Sequence, residues 1–236
     1  MNISSRANAV LTTLYTKADR RNVDGMARYG IISSNVLGVP LTFLRSLAKS
    51  LGRDHNLAMQ LWSSGVYEAR LLATFIADPK ELSVAQANRW ARDFDNWAVC
   101  DGACIHLFRK TPYAHSIALK WSARKREFVR RAGYVMIATL AVHDKNASDT
   151  LFRKYLAVVR KGSADERTYV RKAVNWALRQ IGKRNGRLRE EAIQTAYTIR
   201  SMGTPAARWI AADALRELES AAVKRRLRKR NRSRAR

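Results

Sequence analysis

Cysteine, proline and acidic side chains are scarce in this chain, and each scarcity removes a class of explanation. Only two cysteines, Cys100 and Cys104, occur in 236 residues. They stand one helical turn apart, where a disulfide would be awkward, and no paired-cysteine metal knuckle exists, so small buried thiols are expected. A metal site built on Asp101 or His106 lacks the ligand spacing that zinc sites show, and no metal or other cofactor is expected. Four prolines and few alternating polar–apolar stretches argue against strands. No apolar run reaches the roughly eighteen residues of a membrane span, and the N-terminus has no apolar signal core. A soluble, cytoplasmic protein is therefore expected, nucleoid-associated if bacterial.

Acid is the most telling deficit. Nineteen Asp and Glu face forty-five Lys and Arg, a formal charge of +26. A field of that size attracts polyanions, and nucleic acid is the leading partner class. Residues 224–236 carry nine of these charges and no acid, leaving +17 on the remainder. The basicity thus belongs to the body as well as to the C-terminal segment, which has no apolar stripe and is expected to be a disordered basic tail contacting phosphates nonspecifically.

What is present is helical periodicity from end to end. Helices are expected near 4–20, 40–51, 54–63, 66–77, 83–93, 96–110, 113–123, 126–143, 149–160, 165–183, 187–201 and 205–223. Asp78-Pro79 and Thr111-Pro112 discourage continuation, while Ser83, Ser148 and Thr204 are suited to accept hydrogen bonds from first-turn amides. A weak internal likeness links Tyr67-Glu-Ala-Arg-Leu, Trp97-Ala-Val-Cys-Asp, Phe128-Val-Arg-Arg-Ala and Tyr169-Val-Arg-Lys-Ala. An aromatic opens each segment at intervals that match a helical hairpin. The reading is an all-α protein, a right-handed α-solenoid of stacked helix pairs over 1–223 with a concave basic groove; an irregular helical bundle is the competing architecture.

Familiar catalytic motifs are missing. No Gly-rich phosphate loop opens a helix, no Gly-x-Ser-x-Gly occurs, and His55, His106, His115 and His143 are scattered. Two segments stand out instead. In Asp95-Asn96-Trp97-Ala98-Val99-Cys100-Asp101 a tryptophan and a carboxylate share one helix face, because positions four apart stack at about 3.6 residues per turn. In Arg171-Lys172-Ala173-Val174-Asn175-Trp176-Ala177-Leu178-Arg179 a second tryptophan lies among basic residues, and Arg130 and Arg131 sit on the intervening helix. Taken alone, each has a plain structural reading: tryptophans as inter-helix core, Asp101 as an ion-pair or cap, the arginines as solvated charge. Trp62, Trp90, Trp121 and Trp209 are assigned to packing. Gly102 is expected to allow a close approach, of a helix or of DNA.

In this order, Asn96-Trp97-x-x-x-Asp101, Phe128-x-x-Arg131-Ala132 and Lys172-Ala173-x-x-Trp176-x-Leu178-Arg179 resemble the AlkD-type DNA alkylation repair glycosylases, which are built from HEAT-like helical repeats. The likeness runs from about Tyr29 to about residue 220, and Met26-Ala27-Arg28-Tyr29 with Val36-Leu37-Gly38-Val39-Pro40 resembles the family's N-terminal segment less closely. It implies that Asp101 is the catalytic carboxylate and that Trp97 and Trp176 face the damaged nucleotide. It further implies that Arg131 lies beside the DNA, that Tyr29 supplies a third aromatic, and that Arg130, Lys172 and Arg179 are placed for phosphate. Cys100 stands where the family has Val, and Phe128 where it has Trp.

The implied activity is hydrolysis of the N-glycosidic bond of N3- or N7-alkylated purines in duplex DNA by a monofunctional enzyme that acts as a monomer and needs no cofactor. A cationic leaving base needs no general acid, and one carboxylate suffices to stabilise the sugar cation. Two alternatives remain open at this point: a noncatalytic helical-repeat protein binding distorted or branched DNA, and an RNA-associated scaffold.

Overall fold

The computed structural model describes residues 4–32 and 35–234, with side chains described as far as Lys229. Among these residues every regular element is helical: α1 (Ser5–Thr16), α2 (Arg20–Arg28), α3 (Leu41–Leu51), α4 (His55–Ser63), α5 (Tyr67–Ile76), α6 (Val84–Arg92), α7 (Trp97–His106), α8 (Ala114–Ser122), α9 (Glu127–His143), α10 (Asp149–Gly162), α11 (Thr168–Gly182), α12 (Gly186–Arg200), α13 (Pro205–Leu218) and α14 (Ala221–Arg234), with a short 3₁₀ turn at Phe108–Lys110. Among the described residues no helix is long and apolar enough to cross a membrane.

Local chemistry sets the boundaries. Ser83 accepts from the amide of Gln86 while the Gln86 side chain accepts from the Ser83 amide, a reciprocal cap at the start of α6. Ser148 and Thr204 cap α10 and α13 through Leu151 and Ala207, as their positions in the sequence suggest. The helix expected over 4–20 ends at Thr16, and a second helix that was not expected, α2, begins at Arg20. Asp19 separates them, its side chain accepting from the Arg21 amide and its own amide donating to the Leu37 carbonyl. The helix expected to reach 223 stops at Leu218, and the tail expected to be disordered from residue 224 is helical to Arg234. Val223 and Leu227, one turn apart and buried, anchor that last helix.

The contacts divide the chain into two compact units, Met1–Ala114 and His115–Arg236. Inside each, a helix packs on its successor and on its next neighbour but one. In the first unit α4 packs on α5, and α3, α5 and α7 form a row; in the second α9, α11 and α13 form a row, and α10 packs on α12. This is the packing of stacked helix pairs. The four aromatics matched in the sequence occupy equivalent places in these rows: Tyr67 and Trp97 open α5 and α7, and Phe128 and Tyr169 lie second in α9 and α11. The rings of Phe128 and Tyr169 meet at 5.3 Å.

Trp62 and Trp90 stack face to face at 4.0 Å, and with Trp121 they are core residues. Trp209, assigned to packing from the sequence, is instead 40% exposed with the Arg171 guanidinium over its ring. It lies on the outer side of α13, whose buried stripe runs through Ala206, Ile210 and Ala214.

Candidate nucleic-acid interface

In the first unit Asn96, almost wholly buried, fixes where α7 begins. Its side-chain oxygen accepts from the amides of Ala98 and Val99, both at 3.0 Å, and its amide nitrogen donates to Asp95 at 2.7 Å. Capping at residue 96 makes Trp97 the first helical residue and puts Asp101 one turn further along the same side. Both are half-buried. The indole nitrogen of Trp97 donates to the Tyr29 carbonyl at 3.0 Å, so the end of α2 is tied to the start of α7. Tyr29 itself is 78% exposed.

These three residues line one cleft of about 790 Å³, whose inner wall is Met26, Leu44, Leu71, Phe75, Ile105 and His106 and whose rim includes Arg21 and Arg45. Two features hold its walls. An added Cβ on Gly102 would come within 2.9 Å of the Leu71 side chain, so the close approach that glycine permits is to helix α5. Opposite, the loop before α3 is gathered around Glu68. That carboxylate is fully buried and accepts from the amides of Leu37 (3.0 Å), Gly38 (2.7 Å) and Val39 (3.2 Å). Gly38 has φ +80° with the Asp19 carbonyl 2.2 Å from any Cβ, a position only glycine fills without strain.

His106 stays neutral in this cleft. Burial first, then the charges of Lys110, Arg45 and Arg109, push its pKa from 6.5 down to about 4. Its ring meets Phe75 edge-on at 4.7 Å. Cys100 and Cys104 are fully buried and form no disulfide, as small core thiols. Among the described residues no group of three or more His, Cys, Asp or Glu stands where it could hold a metal ion.

The remaining candidates belong to the second unit. Trp176 is half-buried, and with the Gln180 amide in its hydrogen-bonding orientation the indole nitrogen donates to that oxygen at 3.0 Å. Lys172 is exposed. Arg131 is only 6% exposed, and its guanidinium donates to the Tyr169 carbonyl at 2.7 Å, joining α9 to α11. Arg130 pairs with Asp165 at 3.3 Å. Arg179 pairs with Glu217 at 2.7 Å and faces Asp213 at 3.6 Å, while Lys183 shares Glu217 at 2.5 Å. Burial alone would raise the Glu217 pKa, but the two cations outweigh it and hold the carboxyl below its ordinary value. Lys172 and Trp176 are thus presented outward, whereas Arg130, Arg131 and Arg179 are engaged within their own unit.

The model of the DNA alkylation repair enzyme family matches residues 10–218, which spans both units and includes every residue discussed above except the last helix. The chain belongs to the DNA alkylation repair enzyme family. A solved structure described as "a new family of proteins related to the HEAT-like repeat DNA glycosylases with affinity for branched DNA structures" is similar to it, with a TM-score of 0.73 at 22% identity over 84% of this chain and 83% of that one. The all-helical fold of this family member is therefore the HEAT-like repeat fold. No curated protein matches the sequence.

Sequence reasoning missed Glu68 and the capping role of Asn96. Glu68 sits inside the segment Tyr67-Glu-Ala-Arg-Leu, where an acid two residues before Arg70 in a basic chain reads as solvated charge. The only available signal was the glycine thirty residues earlier, whose backbone it holds.

Proposed function

We propose that this DNA alkylation repair family member is a monofunctional glycosylase that releases N3- or N7-alkylated purines from duplex DNA, leaving an abasic site for base-excision repair. The observation that carries the reading is Asp101: a half-buried carboxylate one turn from Trp97 and in the same cleft wall as exposed Tyr29, in a chain of net charge +26. An acid in an apolar and basic cleft serves a reaction that develops positive charge.

Alkylation at N3 or N7 leaves the purine cationic, so the C1′–N bond breaks with its electron pair returning to the base and the sugar becomes an oxocarbenium-like cation. Asp101 stabilises that cation and orients the water whose oxygen bonds to C1′; the water's proton passes to the carboxylate and then to solvent. The base departs neutral and needs no general acid. Trp97 and Tyr29 offer flat faces with negative quadrupoles to the electron-poor sugar. Neutral His106 adds no repulsion toward a cationic lesion. Exposed Lys172 and half-exposed Trp176 contact the duplex from the second unit, and basic side chains supply affinity by neutralising phosphate with little sequence preference.

The deciding experiment is chromatography of bases liberated from methylated duplex DNA by the wild type and by Asp101→Asn. Loss of a group that stabilises transition-state charge is expected to slow release by about 10²–10³-fold while duplex binding is retained. Release by the variant at the wild-type rate would remove the mechanism.

The second reading is a noncatalytic DNA-binding protein, favoured by the likeness to a protein family described as having affinity for branched DNA. It predicts that the wild type releases no base yet binds a four-way junction more tightly than a linear duplex of the same length.

A further inference from the structure

Helix α14, Ala221–Arg234, lies beyond the part of the chain that the family model matches, which ends at residue 218. Eight of its fourteen residues are Lys or Arg, and no acid follows Glu219. Its buried apolar residues are Val223 and Leu227, one turn apart, and α14 packs on α13. Lys224, Arg225, Arg226 and Arg228 are all exposed. At about 100° per residue these four spread over roughly 200° of the helix surface, on the sides away from the Val223–Leu227 stripe.

A helix so composed opposes its own formation. Lys224 and Arg228 stand four apart, Arg225 and Arg228 three apart, and like charges at these spacings repel. Ordinary solubility does not call for this charge either, because the chain before residue 224 already carries +17. Nor does the helix suit a lipid surface: membrane-surface helices set a broad apolar face with aromatic or leucine side chains against the acyl boundary, and here both apolar side chains are already buried. A linear polyanion meets every one of these conditions. Fourteen residues span about 21 Å, along which B-form DNA presents about twelve phosphates. Neutralisation by them removes the self-repulsion.

We propose that α14 is a second, sequence-independent DNA-binding element added to the family fold, gripping the phosphate backbone of duplex DNA apart from the residues around Asp101. Because it acts on undamaged DNA, it stands whether or not the chain releases alkylated bases.

The test is binding of the full-length protein to an unmodified duplex, followed by fluorescence anisotropy from about 50 to 200 mM salt. In a variant carrying Lys224→Gln, Arg225→Gln, Arg226→Gln and Arg228→Gln, the slope of log K against log salt is expected to be shallower by about 2 to 3.5, since each lost phosphate contact removes about 0.9. A variant carrying Arg225→Lys, Arg226→Lys and Arg228→Lys keeps the charge and should keep the wild-type slope. Glutamine has nearly the helix propensity of arginine, so both variants should match the wild type in far-ultraviolet circular dichroism. A glutamine variant with the wild-type slope would overturn the proposal. So would tighter binding by the wild type to an RNA duplex of the same length at the same salt.

Discussion

His106 shows how the cleft treats a titratable side chain at the scale of a single residue. His106 is held neutral by burial and by Lys110, Arg45 and Arg109, with its pKa lowered from 6.5 to about 4. Between those values the unfolded chain binds a proton that the native state does not, so stability falls as pH is lowered through this window and is fully present above it. Replacing the imidazole by a side chain that does not titrate, His106→Gln, is expected to flatten the decline. Urea midpoints at neutral pH and at several points down to about pH 4 would show it, read as the difference between variant and wild type. Asn96 is the other residue on which the site depends. Asn96→Ala leaves two first-turn amides without their acceptor and should cost about 1 kcal/mol. It should also lower base release more than Asp95→Ala does, because the start of α7 sets where Trp97 and Asp101 stand. Asn96 stands next to Trp97 in the sequence, but only its bond pattern shows what it does.

Elements are joined here by a few close approaches. The buried carboxylate of Glu68 accepts from the backbone amides before α3. Glu68→Gln keeps the shape, but it removes the charge and turns an amide hydrogen toward those donors. A loss of about 2 kcal/mol is expected in chemical denaturation, of the order of hydrogen bonds to a charged group. Gly133 plays a comparable part between α8 and α9. A Cβ there would stand 2.2 Å from the Ser122 backbone nitrogen, which cannot swing aside as a side chain can. Gly133→Ala should therefore destabilise by about 1–3 kcal/mol or more, despite alanine's better helix propensity. Twelve of the fourteen described α-helices and most of their ends were legible in periodicity, in serine and threonine caps and in proline, whereas α2 and α14 were not expected. The break at Asp19 was not, because it depends on a hydrogen bond to Leu37, eighteen residues away. The helical state of α14 was not legible either: two buried residues, Val223 and Leu227, outweigh a sequence that by charge alone reads as unstructured.

At the scale of the whole molecule the dominant quantity is +26. If six to ten phosphates are contacted, affinity for duplex DNA should drop by about 10³–10⁵ between 50 and 200 mM salt, with little dependence on base sequence. Anisotropy on two unrelated duplexes would check both points. The ion pairs set a limit on which charges contribute. Arg179, Lys183, Arg130 and Arg167 are matched by Glu217, Asp213 and Asp165, so removing them should alter stability more than the salt slope. Exposed Lys172 and the basic side chains of α14 should behave in the opposite way.

Composition, periodicity and motif order determined on their own that this chain is helical, repetitive and strongly basic, with an acid and a tryptophan on one helix face. Those properties are carried by spacing along the chain, and spacing survives without coordinates. Which charges are spent was decided by the tertiary structure. Arg131 and Lys172 look alike in sequence, yet one lies buried against the Tyr169 carbonyl and the other faces solvent. The same packing united Tyr29, Trp97 and Asp101 in one cleft across more than seventy residues of chain. A side chain's partners come from elements distant in sequence, and no local pattern records them.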